Sequence, residues 1–511
     1  MKKIIYLLVS LVGVAMVYSC DLDIAPADSL TGDQMRESPT GTTDIVNGCY
    51  AIMKDWPGEN DWGNNWYGRQ YYQMADFSSD DVVYGQSTTD ELNMIFRYDE
   101  RHPGLSNVTS FWSQSYRIIY SANVAIDVLR AIESPTAEDN YLLGEALFLK
   151  AFSMHCLTRL YCKPYKPETA ESLQGIIIRE NSADGQNKDR ATLQYTYEYI
   201  EGMLLEAEGL MLNNSSSRSS DRSLSSLAAV QALLSRVYLY MHRWDDCVSY
   251  ATKVIENTNY KLEEATSFPT YFTETYNRQE TIWCLKMLPE DDKESASVAS
   301  MIYKADGCWG EEGYSDSLLE DMGEGTALED DDARWSFVCE VNPKNGLNLY
   351  PCSKCSNQDG KPTLFSPPFI RLSEMYFNRA EALAHSNGSE TDILNDINEV
   401  RRHRMTANVE EHLYTAQDIP AGGILDLVLK EKRVEFAFEG HRIFDLLRND
   451  KDIIRDYWGY HTNYTVGTST TAKPDLSLEG VTTPYDYDRL VFPIPTQEIN
   501  NNPSCKQNAG Y

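Results

Sequence analysis

The chain has 511 residues, 45 of them basic and 77 acidic, for a formal charge of −32. That balance excludes a nucleic-acid binder, because phosphate binding runs on Lys and Arg, and it disfavours anionic substrates and anionic membrane surfaces. Hydrophobic residues at 42% and charged residues at 24% are globular proportions on a length able to bury several cores.

In chain order, Lys2 and Lys3 precede an apolar run over 4–17 that is too short for a comfortable span, and Ser19 supplies the small residue of a cleavage site. With Cys20 next, residues 1–19 resemble a bacterial lipoprotein signal peptide, cleaved before Cys20 with lipid on its thiol. Residues 20–31 read as anchor and polar tether, and 32–511 as a body in two parts, 32–225 and 226–511. No later segment reaches 18 apolar residues, so the body reads as anchored rather than spanning.

Residues 50–84 hold nine aromatics: Tyr50, Trp56, Trp62, Trp66, Tyr67, Tyr71, Tyr72, Phe77 and Tyr84. Gly58, Gly63, Asn64, Asn65 and Gly68 interrupt them, so part of the stretch is loop; core packing is the expected place of most of these rings. Helical periodicity then runs over 110–132, 140–161, 195–211, 226–256, 369–384, 392–404 and 424–447. These runs predict a mostly α fold of paired helices. Leu234, Tyr238, Trp244 and Cys247 match tetratricopeptide positions, without a fixed 34-residue recurrence. Residues 213–225 are a Ser-rich connector, and 285–368 read as an irregular insertion rich in Gly, Pro, Asp and Cys that carries Tyr303, Trp309, Tyr314 and Trp335.

Nucleotide, zinc-protease, serine-hydrolase and EF-hand motifs are missing. The eight histidines show no ligand spacing, and Cys352 and Cys355 form a lone CxxC that reads as a loop disulfide or two free thiols. No metal or cofactor is expected. The acidic run 329–332 lacks a calcium-loop pattern, and a glycosidase pair among 77 acids would be arbitrary. Aromatic, amide and Arg side chains on loops suit a sugar, whose C–H faces stack on rings and whose hydroxyls need forked partners.

The blocks FIRLSEMYFNRAEAL over 369–383 and EKRVEFAFEGHRIFDLLR over 431–448 resemble the two signatures of SusD/RagB-type outer-membrane lipoproteins. Residues 492–495, 498–501 and 507–511 resemble that family's C-terminal seal. Within the blocks, Phe369, Leu372, Tyr376, Ala380 and Leu383 make one helical stripe. Arg371 with Glu374, and Glu439 with Arg442, stand at i, i+3, where buried ion pairs fixing helix register are expected. The resemblance implies a tetratricopeptide-like helical frame carrying irregular loops, no enzymatic activity, and a glycan-binding lid over a SusC-like TonB-dependent outer-membrane transporter. It also implies ligand roles for Arg69, Tyr84 and Trp309; Tyr303 joins them from the second aromatic stretch. Gln86 stands where the starch-binding founder has a platform aromatic, which weakens starch as the particular glycan. The rival readings are a peptide binder of the RagB kind and a glycoside hydrolase.

Overall fold

The computed structural model describes residues 32–38, 40–54, 65–84, 91–185, 187–340, 342–344, 347–455 and 481–511. The frame is built from α1 (Gly41–Ile52), α2 (Tyr67–Asp76), α3 (Ser106–Arg130), α4 (Ala137–Tyr161), α5 (Leu193–Asn213), α6 (Leu227–Tyr240) and α7 (Trp244–Ile255). It continues with α8 (Leu372–His385), α9 (Glu390–Arg402), α10 (Ile424–Glu435) and α11 (Arg442–Arg448). Three helix starts follow from side-chain caps that satisfy otherwise orphaned N–H groups. Thr136 and Asp139 form a capping box before α4, Thr192 accepts from Tyr195 N, and Ser226 accepts from Ala229 N.

Neighbours in sequence are neighbours in space: α1 packs on α3, and α3 through α7 each pack on the next. Helix α4 is the spine. From Tyr141 to Tyr161 every residue is buried, as expected of a helix flanked on several sides. The periodic run 226–256 is broken at Met241–Arg243, where His242 takes φ 57° and turns α6 back into α7. Run 424–447 is likewise two helices. Phe438 and Gly440 adopt positive φ (60° and 73°), and a Cβ on Gly440 would stand 3.1 Å from the Tyr71 carbonyl oxygen. Only glycine meets both conditions without cost.

The array does not stop at α7. Helix α8 packs on it, although 255 and 372 are far apart in sequence. Strands β2 (Thr281–Cys284) and β4 (Pro368–Arg371) pair antiparallel just before α8, so residues 285–367 leave and return through a two-stranded stem. Two further short strands matter for the site: β1 (Val82–Tyr84) and β3 (Glu312–Tyr314). Phe369 and Arg371, read as helical, lie in β4 instead, and the helix of that block begins at Leu372.

The core centres where α2, α4, β2 and β4 meet. Trp283 is edge-on to Phe148 and Phe152, with centroids at 4.9 and 4.7 Å, and Phe369 reaches Tyr71 at 4.7 Å. Such geometry suits the ring quadrupole. Trp112 and Trp283 are buried, and Trp244 lies half-buried, stacked on His385 at 4.2 Å.

Candidate functional site

The two aromatic stretches, more than 200 residues apart in sequence, fold against each other. From α2 and the residue before it, Trp66 Nε1 donates to Ala296 O at 2.8 Å and Gln73 Nε2 to Val298 O at 3.2 Å. β1 pairs antiparallel with β3, setting Tyr84 opposite Glu312. Ser315 extends the junction, donating through N to Asp81 O and through Oγ to Asp80 O.

Above this junction a loop is pinned by its own backbone. Trp309 N donates to Ser300 O at 2.6 Å, Glu311 N to Met301 O at 2.8 Å, and Cys308 N to Ala305 O at 3.0 Å. Gly310 has φ 56°, and a Cβ there would meet Lys304 Cα at 3.0 Å. The indole of Trp309 is 55% exposed, whereas Trp66, Trp112 and Trp283 are buried and Trp244 and Trp335 half-buried. An indole more than half exposed on an ordered loop presents apolar ring surface to solvent, and stacking on a ligand is a use that such surface suits. Polar groups accompany it. Tyr303, half-buried on the same loop, accepts a bond from Asn357 Nδ2 at 3.2 Å. Thr363, whose methyl lies 3.1 Å from where a Gly307 Cβ would be, donates to Asp292 Oδ2 at 3.1 Å. Asn357, Asp292 and Thr363 escaped sequence reasoning, since nothing in their local spacing marks them; only the fold sets them beside the loop.

Two expected site residues require correction. Tyr84 is 3% exposed, its ring edge-on to Phe77 at 5.6 Å and to Phe96 at 5.0 Å, so it packs the junction and offers no free face. Arg69 is 2% exposed on α2, a helix with every residue buried, so its guanidinium is withdrawn from the surface. Of the four residues, the structure leaves Trp309 and Tyr303 on the accessible loop. Cys20, the tether, Trp56, Trp62 and Gln86 lie outside the described residues.

The signature blocks form buried charge networks, but not the i, i+3 pairs expected of them. Glu374 takes Arg236 in a fork at 2.6 Å, and Arg442 takes Asp80 at 2.8 Å. Arg371 bridges Glu280, Glu435 and Glu439 at 2.5 to 2.9 Å. Adding Arg334, Lys354, Arg401 and Arg404 with Asp332 and Glu431 gives five cations against five carboxylates, all buried. A second balanced set joins Lys432 and Arg448 to Glu381 and Asp445. Burial alone would raise the Glu435 and Glu381 carboxyls. Arg404 and Arg371 at one, Arg448 and Lys432 at the other, outweigh it and hold both well below the ordinary carboxylate range. The long reach of these pairs has a simple cause: Arg371 lies in a strand and Gly440 interrupts a helix, so the i, i+3 geometry never forms.

Cys352 and Cys355 are free thiols; burial pushes the former up to about 12, and its Sγ lies 3.3 Å from the Tyr314 hydroxyl. Among the described residues no group of three or more His, Cys, Asp or Glu is placed to hold a metal ion, and no helix is long and apolar enough to cross a membrane.

Comparison with known proteins agrees with this architecture. Residues 348–511 match the model of the SusD family, and residues 28–239 match one described as "Starch-binding associating with outer membrane". SusD-like protein P2 of Formosa agariphila is 21% identical over 490 residues, 87% of this chain and 89% of that one. Starch-binding protein SusD of Bacteroides thetaiotaomicron is 31% identical over 160 residues, 30% of this chain and 24% of its own. A solved SusD superfamily protein from Bacteroides thetaiotaomicron superposes with TM-score 0.76 at 24% identity, covering 94% of this chain and all of that one. A SusD-like carbohydrate binding protein from Bacteroides vulgatus does so with TM-score 0.72 at 20%, covering 91% and 96%. By these comparisons the chain is similar to SusD-family proteins.

Proposed function

We propose that the protein is a non-catalytic glycan-binding lipoprotein, attached to the outer membrane through lipid on Cys20. It captures oligosaccharide and passes it to a SusC-like TonB-dependent transporter. The observation that carries this reading is Trp309, an exposed indole on a backbone-pinned loop, flanked by the Tyr303–Asn357 and Thr363–Asp292 pairs. An exposed ring on a loop whose Tyr303 and Gly307 meet Asn357 and Thr363 combines aromatic, amide, hydroxyl and carboxylate groups of the kind a pyranose uses. The family model described as starch-binding and outer-membrane-associated, and the relatives named for starch or carbohydrate binding, support the ligand class.

A glycan array probed with the form starting after Cys20 tests the reading. Saturable binding to a defined oligosaccharide, with no growth of reducing ends over time, is the expected result. Growth of reducing ends would establish a hydrolase, and binding only to peptides would establish a RagB-like role. The anchor has its own test: Cys20→Ala moves the protein to soluble fractions, because stable attachment needs a multiply acylated cysteine. Surface proteolysis of intact cells that spared the wild-type protein would refute capture at the cell surface.

A further inference from the structure

Helix α5 buries one face, through Leu193, Tyr197, Ile200, Leu204 and Met211, as an amphipathic helix does. A second stripe at helical spacing runs Tyr195, Tyr199, Gly202, Glu206 and Gly209, exposed at every position except the half-buried Tyr199. Glycine is a poor helix former, yet a Cβ on Gly202 or Gly209 would meet nothing within 4 Å. Packing therefore does not require either glycine.

What Gly202 leaves open is a groove of about 350 Å³ between α5 and α3, floored by Ile126, Leu147 and Met203. That volume falls within the range of small-molecule sites, roughly 300–1,000 Å³. Lys150, 2% exposed, fixes its walls: Nζ donates to Tyr199 Oη at 2.9 Å and to Glu180 O at 3.1 Å. Tyr195 is 47% exposed, with its ring centroid 6.2 Å from that of Tyr199. On the rim, Arg130 Nη2 donates to both carboxylate oxygens of Glu206 at 2.7 Å. Glu198 accepts from Gln194 Nε2 at 2.9 Å, and Glu180 lies 3.8 Å from Lys188. These rim charges already have partners. An ion would have to displace one, whereas a hydroxyl adds to a paired carboxylate or guanidinium without breaking the pair. We propose that this groove is a second carbohydrate site. It takes an uncharged sugar ring, with a C–H face on Tyr195 and hydroxyls on Glu198, Glu206 and Arg130.

The groove shares no residue with the Trp309 loop, so the two can be separated. The probes are malto-, manno- and xylo-hexasaccharides, with oligogalacturonate as the charged control, titrated calorimetrically into the wild type and into Trp309→Ala. At least one neutral hexasaccharide should bind Trp309→Ala in preference to oligogalacturonate. Adding Gly202→Leu should abolish that binding, and adding Tyr195→Ala should weaken it about tenfold. Gly202→Leu should hold or raise the Tm, since leucine forms helix better and its Cβ meets no neighbour, so the loss is not unfolding. Should it lower the Tm, Tyr195→Ala at its exposed position decides alone. Neutral binding that both changes leave intact overturns the proposal, as does no neutral binding at all or a preference for oligogalacturonate. If Trp309→Ala binds like the wild type while Gly202→Leu loses binding, this groove stands and the Trp309 platform falls.

Discussion

Tyr84 and Trp309 show how far a residue's role depends on what the fold does around it. Both are aromatics in compositionally odd stretches, and nothing local separates them. The β1–β3 pairing sets Tyr84 against Phe77 and Phe96, while Gly307 and Gly310 with the Ser300 carbonyl hold Trp309 outward. The two should therefore respond oppositely to truncation. Tyr84→Ala removes a buried ring and should cost about 3–5 kcal/mol of stability, read from denaturant unfolding. Trp309→Ala should leave the unfolding midpoint almost unmoved, since an exposed ring packs little. An unchanged midpoint for Tyr84→Ala would return that residue to the surface and to the candidate site.

At the scale of elements, the helices were legible because their apolar residues recur at helical spacing and Thr136, Thr192 and Ser226 cap them. The mostly helical fold and the family resemblance hold. Less was legible at breaks. The 424–447 run keeps its period through Gly440, and only the contact with Tyr71 explains why the chain must turn there. The charge partners were less legible: Glu280, Asp80 and Arg236 lie outside the blocks they stabilise, and Glu435 and Glu439 reach Arg371 only from one block to the other. Of the site, the irregular stretches stood out by composition, whereas burial of Arg69 and the positions of Asn357 and Thr363 depend on tertiary packing. Two outcomes follow. Gly440→Ala should destabilise by about 1–2 kcal/mol, since a positive φ strains an L-residue. Arg371→Met should cost about 3–5 kcal/mol by stranding Glu280, Glu435 and Glu439, and chemical denaturation would measure it. A loss below 1 kcal/mol would mean that water compensates those carboxylates.

Over the whole molecule, the balanced networks couple stability to pH. Glu381 and Glu435 titrate lower in the folded chain than in the unfolded one. Their contribution is therefore fully present above the ordinary carboxylate range and is lost as pH falls below about 4. Asp76 opposes them: burial raises its carboxyl, so its contribution declines as pH rises. Glu381→Gln should lower stability at neutral pH and flatten the acid limb of the stability curve, because one proton fewer is taken up on unfolding. An acid limb as steep as that of the wild type would remove Glu381 from the account.

The same frame that locks these charges also holds the Trp309 ring outward, and that ring carries the proposed binding. The decisive measurement is calorimetric titration of an array-identified oligosaccharide into the wild type and Trp309→Ala, with the melting temperature of each recorded beside it. Loss of a central stacking aromatic should weaken binding by about 2 kcal/mol or more, roughly thirtyfold, at an unchanged melting temperature. Equal affinities in the two proteins, or a fall in affinity that tracks a fall in melting temperature, would contradict a binding platform at Trp309.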